Sequence, residues 1–355
     1  MFIRGQIYNG KMRMCRSAVL FAICLAAMAG EGVSVNSVVA AVRASIGKKH
    51  RDAGMAEALD KVKLAQHLED RVIEILESEG AGPQTLGALQ RMRDASRLLP
   101  APPDPPPGMT PPPPPSSAEE HRVWQAAAGR SRDYGRSLPD FICSEIIHRW
   151  ADPTGREDWQ PAPTVVADVT YFDRREDYKV VTIDGEPSDK SLPDVGGAIS
   201  QGEFGTMLAT IFRPGMETDY RWDHWTTLRK QPTSVYFFRI TASHHPHELW
   251  YKTGPGNSIK TVVGLHGYVY IDPDTGSVLR ISAVCEDIPA GFPVQKSSTI
   301  LDYGYAGIGG TQYLLPLRAE IRIDAGQLQS LNAVEFQKYR KFGADASVTY
   351  GKDRN

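Results

Sequence analysis

Leu317-Arg318-Ala319-Glu320-Ile321-Arg322-Ile323-Asp324 alternates apolar and charged residues one for one. Side chains on a strand point to opposite faces in turn, so this stretch is expected to be a strand with one face buried and one wet. Val165, Ala167, Val169 and Tyr171 repeat the pattern against Thr164, Asp168 and Thr170. Further strand-like runs lie at 141–150, 178–183, 220–228, 235–241, 248–252, 267–271, 278–284, 299–305, 334–339 and 347–350. Asp272-Pro273-Asp274-Thr275-Gly276 joins two of them with the residues of a tight hairpin turn. About a dozen short strands with few crossovers predict one antiparallel sheet curled into an open or closed barrel. Helix is expected at 118–136 and at 203–212, where Phe204, Met207, Leu208 and Ile211 share a face.

Upstream of this region the composition changes. Residues 31–99 contain no Phe, Tyr or Trp and are rich in Ala, Leu, Glu, Lys and Arg, which favour helix. From Met55, the positions Ala58, Leu59, Val62, Ala65, Leu68, Val72, Ile75 and Leu76 recur at helical spacing and predict one amphipathic helix. Gly80-Ala81-Gly82-Pro83 breaks it, and Thr85, Leu86, Leu89 and Met92 begin a second, making a helical hairpin. The glycine turn is similar to that of helix-hairpin-helix DNA-binding modules, in which backbone amides grip phosphate. The plain structural hairpin is the expected reading, because the chain is expected to be exported. Prolines fill 11 of the 16 positions 100–115, an extended polyproline spacer.

Arg4, Lys11, Arg13 and Arg16 precede an apolar run at 18–29 that ends in Ala27-Met28-Ala29. A basic start, a short apolar run and small residues at the cut describe a secretory signal peptide. A span would need roughly 20 apolar residues, and the sequence has no second run of that length. The expected organisation is therefore a signal peptide at 1–29, a helical hairpin at 30–99, a Pro-rich linker at 100–117 and a β-rich domain at 118–355. The fold class is α+β, an open half-barrel of mainly antiparallel sheet with a few covering helices. The expected location is periplasmic or secreted, with no transmembrane span in the mature chain.

Net charge is −2 over 355 residues, with 40 Lys+Arg against 42 Asp+Glu, so no whole-protein basic field exists to hold nucleic acid. Removal of the signal leaves Cys143 and Cys285, which an oxidising compartment permits to pair. Two separate buried thiols are the alternative. Neither has a CxxC partner, so no redox motif or zinc knuckle is expected. His244, His245, His247 and Glu248 form a dense cluster, but Pro246 interrupts it and a solvated turn is the simpler reading, so no metal is expected. Asp223-His224 lies between Trp222 and Trp225; strand neighbours point to opposite faces, so this Asp is not expected to orient this His. The nucleophile elbow, phosphate loop and dinucleotide fingerprint are all absent, so neither catalysis nor a cofactor is expected.

Leu138-Pro139-Asp140-Phe141-Ile142-Cys143 after a helix, Gly202-Glu203-Phe204-Gly205 at the inserted helix, and the hairpin 267–276 followed by a late strand at 334–339 form a pattern. It resembles the superfamily of periplasmic lipoprotein carriers (LolA-like) and the related stress-sensing regulator (RseB-like) over about residues 120–350. The resemblance implies an unclosed barrel with a helical lid that holds acyl chains or senses lipoproteins. From the residues themselves, Tyr220, Trp222, Tyr236, Phe238, Trp250, Tyr268 and Tyr270 lie in strand runs, and alternation would bring several onto a concave face as an apolar cavity. Rings packed into a filled core are the alternative. The expected function is a non-catalytic binding or carrier protein for a lipophilic small molecule or an acylated protein, with Phe204, Met207, Leu208 and Ile211 lining the lid. The alternative is a scaffold or sensor with a filled barrel, whose helical hairpin recruits an envelope protein.

Overall fold

A computed structural model describes residues 32–48, 51–155, 158–195, 203–213, 218–243, 247–254 and 257–343. The expected strand at 347–350 lies outside these residues. The chain forms two compact units, Met1–Pro113 with Trp225–Pro232, and Pro114–His224 with Thr233–Asn355.

The first unit holds α1 (Val35–Gly47), α2 (Asp52–Leu59), α3 (Asp70–Glu79) and α4 (Pro83–Ala95). The expected hairpin of two helices is thus replaced by four. The β-branched residues Val35, Val38, Val39 and Val42 of α1 have weak intrinsic helix preference, yet all are buried, and burial overrides propensity. The single helix expected from Met55 breaks between α2 and α3. Val33 and Leu64 form a parallel bridge there, with the Val33 amide donating to Lys63 O at 2.8 Å and the Ala65 amide to Val33 O at 2.9 Å. Val62 and Leu68 still reach the core, so the apolar positions hold although the helix does not. The glycine turn is as expected: Gly80 takes φ +108° at the end of α3, and Pro83 opens α4. The proline tract is not a bare spacer. Pro106 and Met109 are buried, Arg43 donates to Pro107 O at 2.6 Å, and the Arg71 guanidinium donates to Met109 O.

The second unit is a sheet with three helices among the described residues. The strands are β1 (Phe141–Asp152), β2 (Gln160–Phe172), β3 (Arg175–Ile183), β4 (Glu186–Pro187), β5 (Asp219–Leu228), β6 (Gln231–Ile240), β7 (His247–Gly254), β8 (Asn257–Ile271), β9 (Val278–Glu286), β10 (Lys296–Ile308), β11 (Thr311–Ala325) and β12 (Leu328–Lys341). Their order is β4-β3-β2-β1-β12-β11-β10-β9-β8-β6-β5, with β7 on β8. The order ends at β4 and β5 without joining them, so the curled sheet is open. Asp272 builds the β8–β9 turn, its Oδ1 accepting from the Asp274 and Thr275 amides at 2.9 and 3.2 Å.

Registry carries one apolar face across the sheet. Ile147 faces Val165 and Val334; Ala319 faces Val334 and Leu301; Leu301 faces Ile281; Ile281 faces Val269; and Val269 faces Tyr236. Against this concave face lies α5 (Ser117–Ser137), with Val123, Trp124, Ala127, Ala128, Ser131 and Tyr134 buried along one stripe. Ser116 caps it by accepting from the Glu119 amide. The four-residue α6 (Leu192–Val195) and the seven-residue α7 (Thr206–Phe212) complete the unit.

Candidate functional site

The cross-strand registry sorts the aromatic residues by face. Tyr236 and Phe238 of β6 point into the concavity and are fully buried. Tyr220 and Trp222 of β5 are half-buried against the same core. Trp124 of α5 stacks on Tyr220 with centroids 4.1 Å apart and 5° between planes, and lies 5.6 Å from Tyr236 and 4.8 Å from Phe212. The Tyr236 hydroxyl donates to Glu120 O at 3.2 Å, and burial raises its pKa to about 12. Tyr268 and Tyr270 do not join this group. Phe238 pairs with Gly267 and Tyr236 with Val269, so the inward phase of β8 is Leu265, Gly267, Val269 and Ile271. A Cβ at Gly267 would stand 1.9 Å from Ser282 O, so only glycine admits this close strand approach. Tyr268 instead meets Phe237 edge-on at 5.8 Å, and Tyr270 lies beneath Arg280, which forks onto Asp302 at 2.6 and 2.9 Å. Trp250 on β7 is 54% exposed under Lys260.

The residues expected to form the lid pack into the core. Phe204, Leu208 and Ile211 are buried on the concave side, with Met207 half-buried beside them and Phe212 closing the far end. The Phe204 ring sits 5.1 Å from Phe141, 5.5 Å from Phe336, 6.2 Å from Tyr171 and 6.4 Å from Tyr339. Gly205 takes φ +137°, and a Cβ there would press on Tyr134 at 3.3 Å. Gly202 and Gly215 lie outside the described residues.

Sequence reasoning missed a polar group beside these residues. On β1 the inward phase is Phe141, Cys143, Glu145 and Ile147, so Glu145 faces the core and is 1% exposed. A carboxylate standing in the apolar phase of Phe141-Ile142-Cys143-Ser144-Glu145-Ile146-Ile147 was the available signal. Burial, then Glu203 and Glu176, push the Glu145 carboxyl well above its usual range. Tyr178 Oη contacts Glu176 and Glu203 together, and burial raises its pKa strongly.

Cys143 and Cys285 are both free. β1 and β9 are separated by β12, β11 and β10. Four strand spacings amount to roughly 19 Å along the sheet, against the roughly 4.4–6.8 Å between Cα atoms that a bridge needs. Burial lifts the Cys143 thiol strongly and Cys285 to about 11.

Asp223 does orient His224, contrary to the alternation argument: Oδ2 lies 2.7 Å from Nδ1. β5 ends the sheet order, which leaves room for the two side chains to fold together along an edge strand. Of the histidine cluster, His244, His245 and Pro246 lie outside the described residues, and burial lowers the His247 pKa. Among the described residues no group of His, Cys, Asp and Glu has metal-ligating geometry, and no helix is long and apolar enough to cross a membrane. In the first unit, the start of α4 already holds an anion. The Asp52 carboxylate accepts from the Gln84 and Thr85 amides at 2.8 and 3.0 Å, where the DNA-module reading would seat a phosphate.

An open antiparallel sheet with helices packed on an aromatic concave face is the class that this architecture defines. No protein-family model and no curated protein matches the chain. Among solved structures it is similar to a LolA superfamily protein from Nitrosomonas europaea, at TM-score 0.31 and 10% identity over 63% of this chain and 94% of that one. It is also similar to a DUF1329 family protein from Desulfovibrio piger, at TM-score 0.30 and 9% identity over 65% of this chain and 95% of that one.

Proposed function

We propose that the protein is a non-catalytic binding or carrier protein that takes an apolar chain, free or on an acylated protein, onto the concave face of its sheet. One observation carries this reading: part of the cover over that continuous apolar face is a helix of only seven residues. Its buried side chains lie on that face, and a ligand exchanges places with them. Freeing four buried side chains, Phe204, Leu208, Ile211 and Phe212, at about 1.5–3 kcal/mol each costs about 6–12 kcal/mol. A chain of roughly 8–15 methylenes offsets that at about 0.8 kcal/mol each, which is the acyl range. The reading includes export after Ala29, so sequencing of the mature N-terminus should begin at Gly30.

Displacement of a fluorescent fatty acid from the mature full-length protein tests the proposal. Leu208→Asp sets a charge on the proposed chain path, so uptake should fall at least tenfold in a variant that still folds. No uptake by the unchanged protein, or equal uptake by both, refutes the carrier reading. The complete burial of Tyr236, Phe238 and Tyr303 favours the other reading, a filled scaffold or sensor whose helical unit recruits an envelope protein. A stoichiometric protein partner in native mass spectrometry, with no lipid retained, supports that one.

A further inference from the structure

Towards its start, β8 runs beyond the sheet. β9 reaches β8 no further than Gly264 and β6 no further than Leu265, so residues 257–263 pair with β7 alone among the described residues. The two strands form a ribbon, and residues directly opposite on such a ribbon share a face. Leu249, Tyr251, Ile259 and Val263 lie on one face, and Trp250, Lys260 and Val262 lie on the other. Leu249 and Val263 are buried against Phe292 and Val294, which fixes the base of the ribbon.

Apolar side chains are exposed on both faces of this ribbon. Trp250 is 54% exposed and Val262 42% on one face, and Ile259 is 41% exposed on the other. A strand pair resting on a protein has one dry face and one wet face, so apolar exposure on both calls for an apolar surrounding, not for a single flat partner. Lys260 lies 2.6 Å from Glu248 and 4.9 Å from the Trp250 ring centroid, so the charges flanking the ring cancel. A tryptophan beside a lysine suits the boundary between acyl chains and head groups. Val262 to Ile259 spans three residues, about 10 Å of strand, against the roughly 5–10 Å to which interfacial segments enter. The outer edges of the ribbon carry no strand partner among the described residues, so it can enter the hydrated boundary but not the hydrocarbon core.

We propose that the β7–β8 ribbon is a shallow membrane anchor, which sets Trp250, Ile259 and Val262 into the head-group boundary of a lipid surface. Lys260 is already paired with Glu248, and the chain as a whole carries a net charge of −2, so anionic lipid is not the attraction. Burial of apolar area drives the contact, and neutral phosphatidylcholine suffices. The anchor goes beyond the carrier reading and stands whatever the concave face binds.

Co-sedimentation of the mature full-length protein with phosphatidylcholine vesicles tests this. The protein should pellet with the vesicles equally at low and high salt. Trp250→Ser combined with Ile259→Ser should weaken partitioning at least tenfold, and both positions are exposed, so the fold persists. Trp250→Phe keeps an apolar ring and should still pellet, but it should lose the fluorescence quenching that brominated lipid causes in the unchanged protein. That reading needs no polar variant. Failure of the unchanged protein to pellet overturns the anchor, as does equal pelleting by the double variant. Binding that requires anionic lipid and disappears in high salt overturns it too, and a dimer that the double variant disperses assigns the ribbon to a second copy instead. Fatty-acid displacement in solution should be the same in the double variant, so a failure of the carrier reading leaves vesicle binding in place.

Discussion

Phe204→Ala removes the anchor of the α7 segment. The ring is 2% exposed and lies within 6.4 Å of four other rings, those of Phe141, Tyr171, Phe336 and Tyr339. Deleting a buried Phe costs about 3–5 kcal/mol, transfer and cavity together. The aromatic pairs are already included in that range, because ring contacts sharing one side chain do not add independently. Phe172 is the internal control: it is 52% exposed and pairs with Phe342 at 5.2 Å, so Phe172→Ala should cost less than about 1 kcal/mol. Five of the six tryptophans belong to the sheet unit, so intrinsic fluorescence during urea unfolding of the full chain reports mainly on it. In a unit of this size a loss of about 3–5 kcal/mol lowers the midpoint temperature by roughly 6–20 °C. A loss below about 1.5 kcal/mol, or one equal to that of Phe172→Ala, would show that α7 rests on the sheet without anchoring there.

Two further outcomes are expected. Asp52→Ala removes the group that accepts from both amides at the start of α4 and from the Thr85 hydroxyl at 2.6 Å, so circular dichroism should show the helical unit weakened by about 1–2 kcal/mol; a loss under about 0.5 kcal/mol refutes the capping role. Cys143 and Cys285 should resist thiol reagents in the native protein at neutral pH and both react in denatured, unreduced protein; a disulfide-linked peptide joining them refutes the separation of β1 and β9.

Much of the fold was legible locally. Burial acts on each residue separately, so a strand with one dry face writes a period of two into the chain, and 317–324 reads as part of β11 without further knowledge. The same holds for the Asp272 turn, which its own side chain builds, and for α5, which carries its Ser116 cap and apolar stripe in sequence. Periodicity erred where a long-range pairing took over, as at Val33 and Leu64, whose bridge splits an expected helix into α2 and α3.

Only the tertiary structure decided which residues meet. The pairing of β1 with β12 joins residues nearly two hundred positions apart, and no local pattern encodes a partner at that distance. That pairing and its neighbours set Cys143 far across the sheet from Cys285, and the β6–β8 registry turned Tyr268 and Tyr270 away from Tyr236 and Phe238. Glu145 stands out in sequence only as a carboxylate within an apolar stretch, and nothing local to Glu176 or Glu203 links either of them to it. They become neighbours only in the fold, where Tyr178 Oη contacts both Glu176 and Glu203 and both act on the buried Glu145. Apolar patterning is a property of one residue and its solvent, and is written along the chain. A polar cluster is a property of several residues at once, and exists only once the chain has folded.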